Sequence, residues 1–327
     1  MFSVIIPVYR NEASVGDLLE ALAGVSYAFE VRFGQDLEAI FVIDGSPDRC
    51  FELLAANLPA SPFRSRVVLH SRNFGSFAAI RTGLAAASGD HFGVIAADLQ
   101  EPPELLLDFF EALADDRCDV VVGRRDGRAD PPTSRWASTL FWRIYRRLIM
   151  PEVPNSGVDV FGCNRQFRDE LLKLDESNSS LIGLLFWLGF RRTEVSYERL
   201  SRKHGASAWT LGKKFNYLFD SVFSFTDLPI RLLVAFGLLG IVLACVLGAA
   251  IALARLVGNI DVPGYAATAL IILLFGGLNA LGLGIVGTYA WRGFENTKRR
   301  PLAVVMRCLS IAPATLHKIN KHEGSSQ

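Results

Sequence analysis

Closely spaced cysteines are missing from the sequence. The five present (Cys50, Cys118, Cys163, Cys245 and Cys308) are odd in number, widely separated and form no CxxC pair, which argues against a disulfide framework or a zinc site and fits a reducing compartment. A basic segment ahead of the first apolar run is missing too. The run Phe2–Val8 follows Met1 directly and has no small-residue cleavage site behind it, so it reads as a buried strand rather than a signal peptide. The third shortage is charge over one long stretch. From Leu232 to Ala290 the only charged side chains are Arg255 and Asp261, whereas 65 of the other 268 residues are charged, an ordinary share for a soluble domain. This excludes a purely soluble enzyme and a disordered chain, and also a polytopic transporter, which needs many more apolar spans.

The chain's 327 residues leave room for roughly two structural units. Charge is unevenly placed along them. Residues 292–327 carry seven basic groups against Glu295 and Glu323, a net of +5, while residues 1–231 are net −4. A basic tail beside an apolar segment points to lipid headgroups as the anionic partner, and the soluble part is not basic enough for a nucleic-acid binder.

Residues 1–125 repeat one unit. A short β-branched run ends in a polar turn and leads into a helical pattern, first at Phe2–Tyr9 with Val15, Leu18, Leu19 and Leu22, then from Ala39–Ile43, Arg66–His70 and His91–Ala96. Strands alternating with helices predict an α/β fold with a mostly parallel sheet, whose ligands bind at the carboxyl ends of the strands. Three loops at that edge are unusually polar: Arg10-Asn11-Glu12, Asp44-Gly45-Ser46-Pro47-Asp48, and Asp98-Leu99-Gln100-Glu101-Pro102-Pro103-Glu104. Each alone is a good turn former. Together they predict a cradle for a diphosphate and a divalent cation, because Mg²⁺ takes oxygen ligands shared between carboxylates and phosphates.

Residues 134–150 place Trp136, Leu140, Phe141, Ile144 and Leu148 on one helical face, with Arg135, Arg143, Arg146 and Arg147 and no acid. That pattern suits an interfacial amphipathic helix, although a helix packed on the sheet with solvated arginines fits it too. A second such helix is expected at 209–225. Two apolar stretches, 232–257 and 265–290, are each long enough to cross a bilayer and form an antiparallel hairpin. Basic residues flank both outer ends, so both ends are expected in the cytoplasm.

The order of these landmarks resembles the polyprenyl-phosphate glycosyltransferases of glycosyltransferase family 2, the group of dolichyl-phosphate mannosyltransferase and the bacterial undecaprenyl-phosphate sugar transferases. The resemblance rests on Pro7-Val-Tyr9 with Glu12, Asp44-Gly-Ser46 with Asp48, Asn73-Phe-Gly75, Gly89-Asp90, Asp98-Leu-Gln100 with Pro102-Pro103, Arg202-Lys-His-Gly205 before Trp209, and the ending from Gly287-Thr-Tyr289 through Lys298-Arg-Arg-Pro301. It implies a GT-A catalytic domain over 1–228, a transmembrane hairpin over 229–291 and a basic cytoplasmic tail over 292–327. It further implies a nucleotide sugar donor, favoured as a UDP-sugar, a polyprenyl phosphate acceptor, and transfer with inversion at a bacterial inner membrane. By the same likeness Pro7, Tyr9, Glu12 and Asp44 hold the nucleotide, and Asp98 and Gln100 belong to the Mg²⁺ or Mn²⁺ and diphosphate motif. Asp159 would act at the acceptor, Arg202 would contact a phosphate, and copies of the chain would associate, as a tetramer. Arg124, at the end of the strand from Asp119, is a candidate for the lipid phosphate from its position, as is Arg135 on the basic helix.

Two positions depart from the family pattern. Ile43 and Ala96 stand where many relatives have aspartates, which lowers the charge available to a cation. They motivate an alternative, a catalytically inactive nucleotide-binding membrane partner. A processive polysaccharide synthase is a further alternative, although the Q-x-x-R-W motif of such enzymes is absent and two spans do not readily enclose a polymer pore.

Overall fold

The computed structural model describes residues 1–126, 142–154, 157–201, 211–257 and 264–313. Arg135, Arg202 and most of the expected helix at 134–150 lie outside the described residues. Eight strands form one sheet: β1 (Phe2–Val8), β2 (Leu37–Ile43), β3 (Arg64–His70), β4 (His91–Val94), β5 (Val120–Arg125), β6 (Phe161–Asn164), β7 (Arg192–Tyr197) and β8 (Val305–Ile311). Their order is β7-β5-β6-β4-β1-β2-β3-β8. β1 pairs in parallel with both β2 and β4, and β2 with β3, while β6 runs antiparallel to β4 and β5. Helices α1 (Val15–Phe33), α2 (Cys50–Asn57), α3 (Ser76–Ala86), α4 (Leu105–Ala114), α5 (Arg165–Lys173) and α6 (Leu181–Trp187) accompany the sheet.

Near-continuous apolar sequence explains the central strands. All seven residues of β2 are buried, as a strand covered on both faces requires. Alternate residues of β1 divide between two cores: Val4 and Ile6 pack with Phe29, Phe41 and Phe110, whereas Ile5 packs with Val42, Leu84 and Phe92. Pro7 sits in this central strand because the ladder to β4 ends at the pair Ile5 and Val94, so no neighbour on that side needs an amide from residue 7.

The order of strands turns back between β1 and β4, which makes the crevice beyond their carboxyl ends the switch point of the sheet. The antiparallel direction of β6 matters equally. Its beginning lies at the same edge as the ends of β1, β2, β4, β5 and β7, so the residues just before Phe161 join the loops that follow those strands.

The tail departs from the sequence expectation. Residues 305–311, read as part of a basic extension, form β8, antiparallel to β3 with Val67 opposite Leu309. The chain therefore returns from its apolar helices to cover the β3 edge of the sheet. Those helices are α8 (Leu228–Leu256) and α9 (Tyr265–Thr297), preceded by α7 (Leu211–Phe225). Their apolar stretches, Leu228–Ile251 and Leu274–Thr297, are 0% and 6% buried. In water each exposed Leu or Ile would forfeit roughly 1.5–3 kcal/mol of burial, a loss that hydrocarbon removes, so the chain is membrane-associated. α9 runs past the expected end at 290 because Arg292 pairs with Asp220 of α7 at 2.6 Å and Asn296 accepts from the Ser177 amide at 3.1 Å. On the helical residues 142–148, Tyr145 is buried while Ile144 and Leu148 of the expected apolar face stay exposed.

Candidate active site

The first two polar loops are stapled to each other. Ser46 Oγ accepts from the Arg10 amide at 2.8 Å and donates to Asp48 at 2.6 Å, while Asp48 accepts from the Glu12 amide at 3.1 Å. Glu12 Oε1 takes two hydrogen bonds from the Arg49 guanidinium, at 2.9 and 2.7 Å, and these hold its carboxyl below the usual range. For Asp48 burial acts upward but is outweighed by hydrogen bonds from Ser46, Cys50 and Glu12, and the carboxyl is lowered. Arg10 has φ 56° and Leu99, in the third loop, φ 53°. Side chains in this left-handed region cost of order 1 kcal/mol or more, a strain that tends to cluster at functional sites. Tyr9 and Pro7 are half-buried at the same edge.

Asp44 has a role that its sequence context does not announce. It is 3% exposed. Its Oδ1 accepts from the Phe74 amide at 2.8 Å and faces His70 Nδ1 at 2.9 Å, and its Oδ2 accepts from the Gly75 amide at 2.8 Å. Three of its roughly four acceptor positions are thus occupied by the protein itself. Asp44 fixes the turn that starts α3, and it reaches a ligand with at most one remaining lone pair. Gly45, at φ 57°, lies so close to that turn that a Cβ would stand 2.2 Å from the Arg72 carbonyl carbon, which leaves no residue but glycine there.

The third loop meets the far half of the sheet. Asp98 Oδ1 accepts from the Gln100 amide at 3.3 Å. Gln100 Oε1 accepts from Arg199 at 2.7 Å, so this expected diphosphate residue is engaged in holding the loops together. Asp159, just ahead of β6, is ion-paired with Arg125 and accepts from the Tyr197 hydroxyl at 3.1 Å. Glu101 is 1% exposed, its Oε1 lies 3.7 Å from Arg199 Nε, and its Oε2 has no hydrogen-bond partner. Burial first, then the charge of Asp159, pushes the Glu101 carboxyl up to about 7 against the pull of Arg199. Burial also raises the Tyr197 phenol, aided by Asp159 and Glu101, so the hydroxyl keeps its proton for Asp159.

Arg125, Tyr197, Glu101 and Arg199 are the residues that sequence reasoning missed. Arg124, the residue of this strand named from the sequence, lies on the other face of β5, bridged to Glu194 at 3.3 Å and Ser196 at 2.7 Å. It lines a cavity of about 300 Å³ with Arg125, Arg146, Glu152, Val153, Pro154 and Glu194. Side chains alternate across a strand, so Arg125 shares its face with Val121 and Gly123. A register for β5 would have told the two arginines apart.

Among the described residues no three His, Cys, Asp or Glu side chains cluster closely enough to hold a metal by themselves. Ile43 is packed in the core rather than turned to the loops. Asp98, the carboxylate expected to hold a cation, would leave most of the ligand positions to phosphate oxygens, as is common for Mg²⁺. The described cysteines are free thiols, and burial, followed by the Asp48 hydrogen bond, pushes the Cys50 thiol up to about 12, so it is no nucleophile.

An α/β sheet that gathers an acidic turn after β4 and an Arg–Asp–Tyr group across β5, β6 and β7 at one edge, joined to an apolar helical hairpin, is the architecture expected of a GT-A glycosyltransferase. The chain belongs to glycosyl transferase family 2, whose profile it matches over residues 3–174. It is 33% identical over 301 residues to the putative glycosyltransferase CsbB of Bacillus subtilis, covering 92% of this chain and 90% of that one. It is 30% identical over 327 residues to the undecaprenyl-phosphate 4-deoxy-4-formamido-L-arabinose transferase of Pseudomonas paraeruginosa, covering 97% and 92%. Over 311 residues it is 27% identical to the bactoprenol glucosyl transferase of Shigella phage SfV, covering 93% and 97%.

Proposed function

We propose that the protein transfers a sugar from a nucleotide diphosphate sugar, UDP-linked by preference, to a polyprenyl phosphate in a bilayer, with inversion at the anomeric carbon. The observation that carries this reading is that the loop of Asp98 is tied through Gln100 and Glu101 to the segment after Tyr197, at the sheet edge where Arg125, Asp159 and Tyr197 meet, in a chain whose relatives include polyprenyl-phosphate sugar transferases over nearly its whole length. β8 supports a single-sided topology: because it pairs with β3, the end of α9 lies on the same side of the membrane as the catalytic domain. Two spans satisfy this, and the basic residues at both outer ends favour the cytoplasm of a bacterium.

The chemistry follows from the acceptor. A phosphate monoester has its second pKa near ~6, so its oxygen is already nucleophilic at neutral pH and needs little help from a base. The difficulty is to bring two anions together and to stabilise the departing diphosphate. Asp98 would hold the divalent cation, Mg²⁺ or Mn²⁺, which when bound neutralises the leaving diphosphate. Arg125, kept charged because Asp159 outweighs its burial, supplies positive charge beside the acceptor. Asp159 orients that guanidinium and the Tyr197 hydroxyl, so its role is orientation more than proton abstraction. Arg124, with Arg202 and Arg135, would meet the lipid phosphate. Pro7, Tyr9 and the stapled loop of Glu12 would bound the nucleotide, and Asp44 would shape that pocket from below.

The test is incubation of detergent-solubilised protein with radiolabelled nucleotide sugars, undecaprenyl phosphate and Mg²⁺ or Mn²⁺, followed by organic extraction. Label in a lipid product from at least one donor is expected. Nucleotide binding without lipid product from any donor would instead make the chain an inactive partner.

A further inference from the structure

Two segments far apart in sequence are locked together beside Asp98. Arg199 donates through Nη2 to Gln100 Oε1 at 2.7 Å, and the next residue, Leu200, donates its amide to the Gln100 carbonyl at 2.8 Å. Gln100 in turn donates its amide to Asp98 at 3.3 Å. Arg199 also faces Glu101, whose side chain is 2% exposed and whose second oxygen has no partner. A carboxyl so deeply buried is costly unless a cation answers it, and Arg199 and Arg125 are the cations acting on it. Between Asp98 and Gln100 stands Leu99 in the left-handed conformation, a strain that persists only where the surroundings over-determine the backbone.

We propose that Arg199 is a positioning residue: its planar guanidinium clamps the segment after β7 onto Gln100 and Glu101, and so sets the Asp98 carboxylate and residues 199–201 in one fixed relation. This deepens the glycosyl-transfer reading and rests on it. The clamp joins the loop expected to carry the donor diphosphate to the segment expected to carry the acceptor phosphate. Its contribution is to geometry, so its loss falls on the rate of transfer more than on donor binding. Arginine suits the task because its guanidinium donates to Gln100 through Nη2 while its Nε edge faces Glu101 as an ion pair at 3.7 Å, whereas a lysine ammonium is a point charge on a flexible stem.

The experiment compares wild type, Arg199→Ala, Arg199→Lys, Gln100→Ala and the Arg199→Ala/Gln100→Ala double variant in full-length protein, with UDP binding measured by calorimetry and transfer to undecaprenyl phosphate by single-turnover kinetics at saturating substrates. Arg199→Ala is expected to slow single-turnover transfer by about 10²-fold while the Kd for UDP changes by less than about threefold, and Arg199→Lys to recover only part of the rate. The double variant is expected to transfer within about threefold of Arg199→Ala, because both substitutions break one clamp. A fall in UDP binding that matches the fall in rate would mark a merely structural role and overturn the proposal. So would a wild-type rate in Arg199→Ala, or strictly multiplicative losses in the double variant. If wild type itself yields no glycolipid, the glycosyl-transfer reading falls and the clamp with it; failure of the clamp alone shows as an active wild type with an equally active Arg199→Ala.

Discussion

The Tyr197 hydroxyl donates to Asp159 Oδ2 at 3.1 Å, joining the end of one edge strand to the residue just before an antiparallel strand two places away in the sheet. Asp159 is also ion-paired with Arg125, whose side chain is 9% exposed. Removing the carboxylate while keeping its shape leaves a nearly buried cation without its counter-charge. Asp159→Asn is expected to lower kcat by 10²-fold or more with UDP affinity preserved, and Tyr197→Phe, which removes one hydrogen bond, by about tenfold at most. Steady-state kinetics with both substrates varied check the order of the two effects.

Asp98 is the carboxylate that the proposed function assigns to a donor-borne cation. Asp98→Asn is expected to raise the Mg²⁺ or Mn²⁺ concentration needed for half-maximal transfer at least tenfold, and chelation by EDTA should abolish wild-type transfer reversibly. Transfer by Asp98→Asn equal to wild type across a metal titration would remove this assignment.

Glu101 predicts a pH dependence of stability. Its carboxyl is raised by burial from its ordinary value of 4.5 to about 7, so between these values the folded protein holds a proton that the unfolded chain releases. The contribution is fully present below about 4.5 and is lost as pH rises through about 7. In the Glu101→Gln variant this component vanishes. Apparent Tm, followed by intrinsic fluorescence, should therefore fall more steeply for wild type than for the variant between pH 5 and pH 8, with a difference of at most about 3 kcal/mol.

Gly45 cannot accept a side chain. A Cβ there meets the Arg72 backbone at 2.2 Å in a conformation with φ 57°, and the displaced turn is the one Asp44 holds. Gly45→Ala is expected to cost about 2 kcal/mol or more of stability and to raise KM for the donor while leaving KM for the lipid nearly unchanged. Thermal unfolding and donor kinetics on the same sample test both parts.

β8 is needed to cover β3. Ending the chain after Pro301 removes the partner of six buried or half-buried positions from Ser65 to His70 and leaves an exposed edge. The truncated protein is expected to aggregate on extraction in mild detergent where the full chain elutes as one species, a difference that size-exclusion chromatography reads directly.

The first five strands and the charge-free hairpin were legible because each rests on a local signal, β-branched runs before polar turns and long apolar stretches. β6 was not. It has four residues, Phe-Gly-Cys-Asn, too few to show a period. β8 was hidden by charge counting, which merged Arg307 with the neighbouring lysines and arginines although Val305–Ile311 has the residues of a strand. Among site residues, the polar loops announced Glu12, Asp44, Asp98 and Gln100 as a group. The division of labour among them depends on partners thirty to a hundred positions away, such as Phe74 for Asp44 and Arg199 for Gln100. The different surroundings of Arg124 and Arg125 follow from strand register, and Glu101 gained its interest only through burial, which no single sequence reports.

The central claim is transfer of a sugar to a lipid phosphate at the Asp98 and Asp159 edge of the sheet. Its most direct test is the yield of labelled, organic-extractable, mild-acid-labile lipid when full-length protein receives undecaprenyl phosphate and each of a set of UDP-sugars with Mg²⁺ or Mn²⁺. The account predicts product from at least one donor with wild type, and a loss of 10²-fold or more in Asp159→Asn protein that still binds UDP. No lipid product from any nucleotide sugar, by protein shown to be folded and to bind nucleotide, would contradict it.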